Sequence, residues 1–270
     1  MALHISQVRS IHFVKDHQFL GVLKLRINMK YLGIALLIAA AAVQVLGEHI
    51  SEGHSRSRRS YGSQLQTFLD VKLRKLLKEG NATLGFPIMD PLDKPELGFE
   101  LNEEKAKGSV SIKDLHVEGL AGYTVDAANV RIYPTTITVD LTFPEIKASG
   151  NYSMKGVVMD GINIYGTGEF QANIRKFSVK TVVSVNVFGG MKINSMKLEI
   201  SLGGLQLNAS GIFDDENTSI LLSEIISDMA PQLIADYHEE ITTKVSAVLV
   251  EIGNVLLKGK TINDINTILG

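Results

Sequence analysis

The 270-residue sequence predicts an α+β fold: a long C-terminal helix wrapped by a strongly curved antiparallel β-sheet, with an N-terminal amphipathic helix. Two observations predict it. Apolar residues recur at helical spacing over 63–78, at a period of two between 108 and 213, and at helical spacing again after 216. Glycines cluster in the middle region, at Gly119, Gly122, Gly150, Gly161, Gly189-Gly190 and Gly203-Gly204, where they punctuate short apolar runs. The composition is compatible, because 45% hydrophobic residues suffice for a buried core and exceed what a disordered chain carries. There is no cysteine, which excludes a disulfide scaffold, a thiolate zinc site and a cysteine nucleophile.

The first 60 residues read as processing signals. Residues 1–28 hold His4, His12 and His17 and no apolar periodicity, and are expected to be an upstream extension, with synthesis of the functional form starting at Met29. Residues 29–47 have the parts of a signal peptide: Lys30, an uncharged Leu/Ile/Ala run, and small residues before a cut after Gly47. The run is shorter than the roughly 20 residues a membrane span needs. Residues 48–60 form a linker or propeptide, in which Arg56-Ser57-Arg58-Arg59 suits either a trypsin-like cut or a solvated spacer. Residues 61–270 are expected to form a single domain.

Residues 1–47 hold five of the 27 basic groups and one of the 29 acidic ones, so the remainder carries 22 against 28. That acidic balance argues against nucleic acid and against attraction to anionic membranes. Four N-x-S/T triplets begin at Asn81, Asn151, Asn208 and Asn217 and fit a secreted, extracellular glycoprotein.

Within the domain, Leu65, Phe68, Leu69, Val71, Leu73, Leu76 and Leu77 make one apolar stripe, so 63–78 is a helix ending at Glu79-Gly80. Pro87, Pro91 and Pro95 then forbid helix and favour an extended connector. Alternation at 110–112, 137–143, 152–158, 162–164, 170–174, 179–187, 198–202 and 205–209 predicts strands. Short links between them imply antiparallel neighbours. Beyond Asp214-Asp215-Glu216, apolar residues from Leu222 to Leu256 return to steps of three and four, with Pro231 expected to start a new helix or kink this one. A helix over 231–257 would be roughly 40 Å long. A curved sheet laid along it would cover its stripe.

Sheet and helix that meet in the middle and diverge at the ends leave an apolar tunnel. Candidate walls are Phe143, Met154, Met159, Phe170, Phe177, Met191, Met196 and Phe213, stiff aromatics mixed with adaptable thioethers. Tyr123, Tyr152, Tyr165 and Tyr237 are candidates to orient a polar head group, Tyr237 among the ligand-binding set.

The signal peptide, the short amphipathic helix, Gly85-Phe86-Pro87-Ile88-Met89-Asp90-Pro91-Leu92, Val117-Glu118-Gly119-Leu120 leading to Tyr123, and the long final helix follow one another in a distinctive order. That order of parts resembles the insect haemolymph juvenile-hormone-binding and takeout family. The resemblance covers residues 63–265. It implies an elongated domain that carries a terpenoid such as juvenile hormone, a fatty acid or a related lipid in solution, with no cofactor. The family's usual disulfide near the start of the mature chain cannot form here, and group 7 mite-allergen-like proteins are the nearest alternative. The resemblance assigns no contact residue.

Two other classes compete. A secreted lipid esterase needs an activated nucleophile, and no G-x-S-x-G elbow occurs. Within the domain only His116 and His238 remain, far apart and without metal spacing. The expectation is therefore a binding protein rather than an enzyme. The alternative function is an allergen-like or innate-immune module that binds a protein partner and holds lipid incidentally.

Overall fold

A computed structural model describes residues 59–258 except 83–85, 103–105, 132, 159–160 and 187–191. The expected extension, signal peptide and most of the linker lie outside the described residues, as do Met159 and Met191.

The N-terminal helix follows its stripe. It runs as α1 (Arg59–Thr67), a π-helical segment (Phe68–Leu73) and α2 (Arg74–Glu79). Leu65, Phe68, Leu69, Leu73 and Leu77 are buried, but Val71, expected in the stripe, is exposed: at helical spacing it falls on the opposite side from Leu69 and Leu73. Gly80 ends it with φ of +66°, a conformation that suits glycine.

Six strands form one antiparallel sheet: β1 (Leu92–Asn102), β2 (Ala106–Glu118), β3 (Thr124–Arg131), β4 (Thr136–Val158), β5 (Ile162–Asn186) and β6 (Lys192–Ala209). The order is β1-β2-β4-β5-β6, and β3 pairs with β4 alongside this path. The long β4 is shared along one side, its first half by β3 and its second by β2. Two expectations are corrected here. The separate strands read at 137–143 and 152–158 are one 23-residue strand, and those over 162–187 are one of 25 residues. The connector around Pro95 is partly strand β1. Its edge position explains this, because pairing steps from Lys94 to Glu96 and the proline owes the ladder no N–H.

The sheet bends across its middle. Ile137, Val139 and Leu141 are buried on β4, but beyond Pro144 the buried residue is Ile146, so the inward set changes phase. Pairing does not slip, since Phe143 faces Phe177 and Glu145 faces Arg175; β5 absorbs the same bend at Lys176, whose φ is +49°. Next to it on β6, a Cβ on Gly203 would lie 2.7 Å from Lys176 Cβ, so only glycine fits.

The C-terminal region is two helices, α3 (Glu216–Asp236) and α4 (His238–Leu257). Pro231 sits inside α3, and the break comes at Tyr237, a buried residue with φ −105° and ψ 9°. A new helix therefore starts after Tyr237 and not at Pro231. Both helices pack against β6, the sheet's last strand.

Candidate functional site

The apolar side chains divide the molecule into a packed half and an open half. In the packed half, Leu69, Leu73, Ile137, Val183 and Ile193 are at most 1% exposed, and they join α1, the π segment and β3–β6 in one core. Beyond the bend, the inward alternation continues with Tyr152 and Met154 on β4, Ile164, Phe170 and Ile174 on β5, and Ile112 on β2. None of these six is buried. Ile146 and Ile212 are the buried apolar residues there.

The opposite wall comes from the terminal helices, and its orientation is fixed by hydrogen bonds. Ser219, Ser223 and Ser227 stand one turn apart on α3 and accept from the otherwise unpaired N–H groups of Ile212 (2.9 Å), Ala209 (3.0 Å) and Leu207 (2.8 Å). On α4, Asn254 accepts from Ile193 N–H at 2.8 Å and donates to its carbonyl at 3.0 Å. The exposed edge of β6 is thus covered by polar side chains rather than left as a free template.

On one flank of the serine stripe, Glu216, Ile220 and Glu224 border an open concavity of about 360 Å³ with Glu169, Gln171 and Asn208, side chains of the sheet's outer face. The other flank of α3, carrying Leu222, Ile226, Met229 and Leu233, therefore looks toward the inner face. The same flank continues on α4 with Ile241, Val245 and Val248. Ile226, Val245 and Val248 remain 41%, 37% and 40% exposed. Two apolar surfaces, the inner face of the sheet beyond the bend and this flank of the helices, are thus left partly uncovered among the described residues.

The sequence candidates fall in different places. Phe143 and Met196 belong to the packed half, and Phe143 has Tyr123 at 5.7 Å and Phe177 at 6.1 Å between ring centroids. Met154 and Phe170 stand on the inner face, opposite Gly166 and Gly150 on the paired strands, and Phe170 also lines the open concavity bordered by Ile220 and Glu224. Phe213 lies edge-on to Tyr165 at 5.4 Å. Tyr237 is buried at the junction of α3 and α4. Tyr152 donates its hydroxyl to the Ser210 carbonyl at 2.8 Å, and burial pushes its pKa upward. The structure brings together Phe143 with Phe177, puts Met154 and Phe170 on the same face of the sheet four positions apart, and does not gather the set around one point.

Sequence reasoning missed the serine stripe, whose signal was a hydroxyl residue at every fourth position of an otherwise apolar helix. It also missed Ile112 and Ile164 as wall residues. Among the described residues no group of three His, Asp or Glu side chains is placed to hold a metal ion, and no helix is long and apolar enough to cross a membrane.

Comparison with known proteins gives one family and a fold. The family model described as haemolymph juvenile hormone binding protein matches residues 33–267. Among solved structures, Takeout 1 of Epiphyas postvittana is similar, with 15% identity over 75% of this chain and 94% of that one and a TM-score of 0.55. A lipopolysaccharide binding protein aligns with 13% identity over 70% of this chain and 35% of that one, at a TM-score of 0.28. No curated protein matches significantly.

Proposed function

Since this chain belongs to the haemolymph juvenile hormone binding protein family, we propose that it is a secreted carrier holding a hydrophobic small molecule between the terminal helices and the open half of the sheet. The guest is a terpenoid, a fatty acid or a related lipid. The observation that supports this reading is that the apolar inner face of the sheet beyond the bend and the apolar flank of the terminal helices both stay partly exposed in the folded chain.

The mechanism is passive. Apolar burial contributes roughly 25 cal/mol per Å², so a long acyl or terpenoid chain laid along both walls gains on the order of ten kcal/mol before ordering costs. The walls carry no charge at the positions named, so the slot discriminates by length and greasiness more than by head group. Met154 and Phe170, on the inner face of the sheet, are the wall residues this reading relies on.

Native mass spectrometry of the protein from a eukaryotic secretion host tests the reading. A co-purified lipid is the expected result; a chain that stays empty and holds a stable protein partner supports the protein-binding alternative and overturns the carrier. Phe170→Asp and Met154→Asp each place a charge in the apolar slot and should abolish uptake of a fluorescent fatty acid. A folded variant with unchanged uptake removes that residue from the slot.

A further inference from the structure

The outer face of the sheet holds a second concavity, of about 420 Å³, on the opposite side from the slot. Two rows of polar side chains cross it from strand to strand. Ser149, Gln171 and Asn208 stand opposite one another on β4, β5 and β6, and Lys147, Asn173 and Gln206 form the adjacent row. A carboxamide offers two N–H donors and an acceptor with two lone pairs. Four of them side by side match the alternating donors and acceptors of sugar hydroxyl and acetamido groups.

Part of this surface is already braced. Asn173 Nδ2 donates to Glu145 at 2.7 Å, and Gln206 Oε1 accepts from Arg175 at 3.1 Å. The rest is available: the side chains of Gln171 and Asn208 have no partner within the described residues, and Asn173 Oδ1 is buried without one. Asn208 also opens the triplet Asn208-Ala209-Ser210 and is exposed at the edge of this groove. The other three triplets lack that setting. Asn151 donates its amide to Asp114, Asn81 lies in a bridge to Phe86, and Asn217 stands on the first turn of α3.

We propose that Asn208 carries an N-linked glycan whose first sugars lie across Gln171 and Asn173 in this groove. In the attachment step, Asn208 Nδ2 attacks the anomeric carbon of a lipid-pyrophosphate-linked oligosaccharide. The N–C bond forms as the C–O bond to pyrophosphate breaks, and Nδ2 gives up one proton. The glycan then covers the outer face of β4–β6 and leaves the inner slot free. The proposal rests on the secreted reading only for passage through the compartment that supplies this donor.

The test is expression of the full chain in insect cells, with glycopeptide mapping of all four triplets and timed release by a peptide N-glycosidase. Asn208 should be occupied, and release from the folded protein should be about tenfold slower than from the denatured one, the protection that one or two net hydrogen bonds give. Gln171→Ala, an exposed change that leaves the fold intact, should speed release from the folded protein without changing occupancy. An unmodified Asn208 in folded protein overturns the proposal, as does release at the denatured rate. A glycosylated protein that takes up no fluorescent fatty acid overturns the carrier reading and leaves this one standing.

Discussion

At the scale of single residues, a few polar groups fix where elements begin and meet. Asp215 caps α3 by accepting from Thr218 N–H at 2.7 Å, and hydrogen bonds from the Thr218 side chain and backbone hold its carboxyl below the usual carboxylate range. A depressed carboxyl stabilises the fold above its unfolded pKa and loses that contribution as pH falls through the folded value. Asp215→Ala should therefore lower the melting temperature by a few degrees at neutral pH, and by less in acid, as read by circular dichroism at both. His116 works in the opposite sense. Its ring nitrogens meet Asp93 on β1 at 2.6 Å and Glu118 at 3.1 Å, and these hydrogen bonds, Asp93 first, raise its pKa above 6.5. Its contribution is complete below 6.5 and disappears as pH rises through the folded value. An NMR titration should find the His116 midpoint above 6.5, and Asp93→Asn should lower it. Tyr123 buries its ring under Arg74 and donates its hydroxyl to the Leu69 carbonyl in the π segment. Tyr123→Phe leaves that carbonyl unpaired and should cost about 1–3 kcal/mol in urea unfolding.

At the scale of elements, the seam between α3 and β6 is held by hydroxyl-to-amide bonds rather than by interdigitated apolar side chains. Ser223→Val with Ser227→Val strands the N–H groups of Ala209 and Leu207, at about 1–3 kcal/mol each. The chain has no cysteine, so Ala209→Cys with Ser223→Cys creates a single, clean cross-link across the seam. If guests pass there, oxidation should slow release of a bound fluorescent fatty acid and reduction should restore it; equal rates place the route elsewhere. The helices and most strands were legible because period and glycine punctuation report burial on one face, as Leu65, Leu69 and Leu73 show. What was lost had physical causes. Pro95 reads as a strand breaker, yet an edge strand has no use for its N–H. β3 hides because a bulge between Val125 and Ala127 interrupts its alternation. Pro231 reads as a helix start or a kink, but the new helix starts after the non-helical dihedrals of Tyr237, where no Gly or Pro marks them.

At the scale of the whole molecule, the two sides of the sheet's bend differ: one holds the filled core, and the other keeps its inward apolar side chains partly exposed, where the proposed guest would lie. The candidate wall residues could be chosen from the sequence by type but not by half. Phe143, Phe177 and Met196 have the same alternation and chemistry as Met154 and Phe170. Only the closing of α1, β3 and the π segment over one end distinguishes them, a long-range contact that no local pattern encodes. The two halves should respond oppositely to truncation. Leu69→Ala removes a fully buried side chain and should cost about 2–5 kcal/mol, with fatty-acid affinity of the folded fraction little changed. Met154→Ala removes a half-exposed one, so its stability cost should stay below about 1 kcal/mol. Its affinity loss should be about tenfold, the value of roughly 50 Å² of apolar contact with the guest. Met196→Ala, 8% exposed in the filled half, should behave like Leu69→Ala although its residue type belongs with Met154. Urea unfolding and fluorescent fatty-acid titration on the same three variants measure both quantities. If Met154→Ala destabilises as much as Leu69→Ala, that part of the sheet is a packed core, and the guest has no slot there to enter.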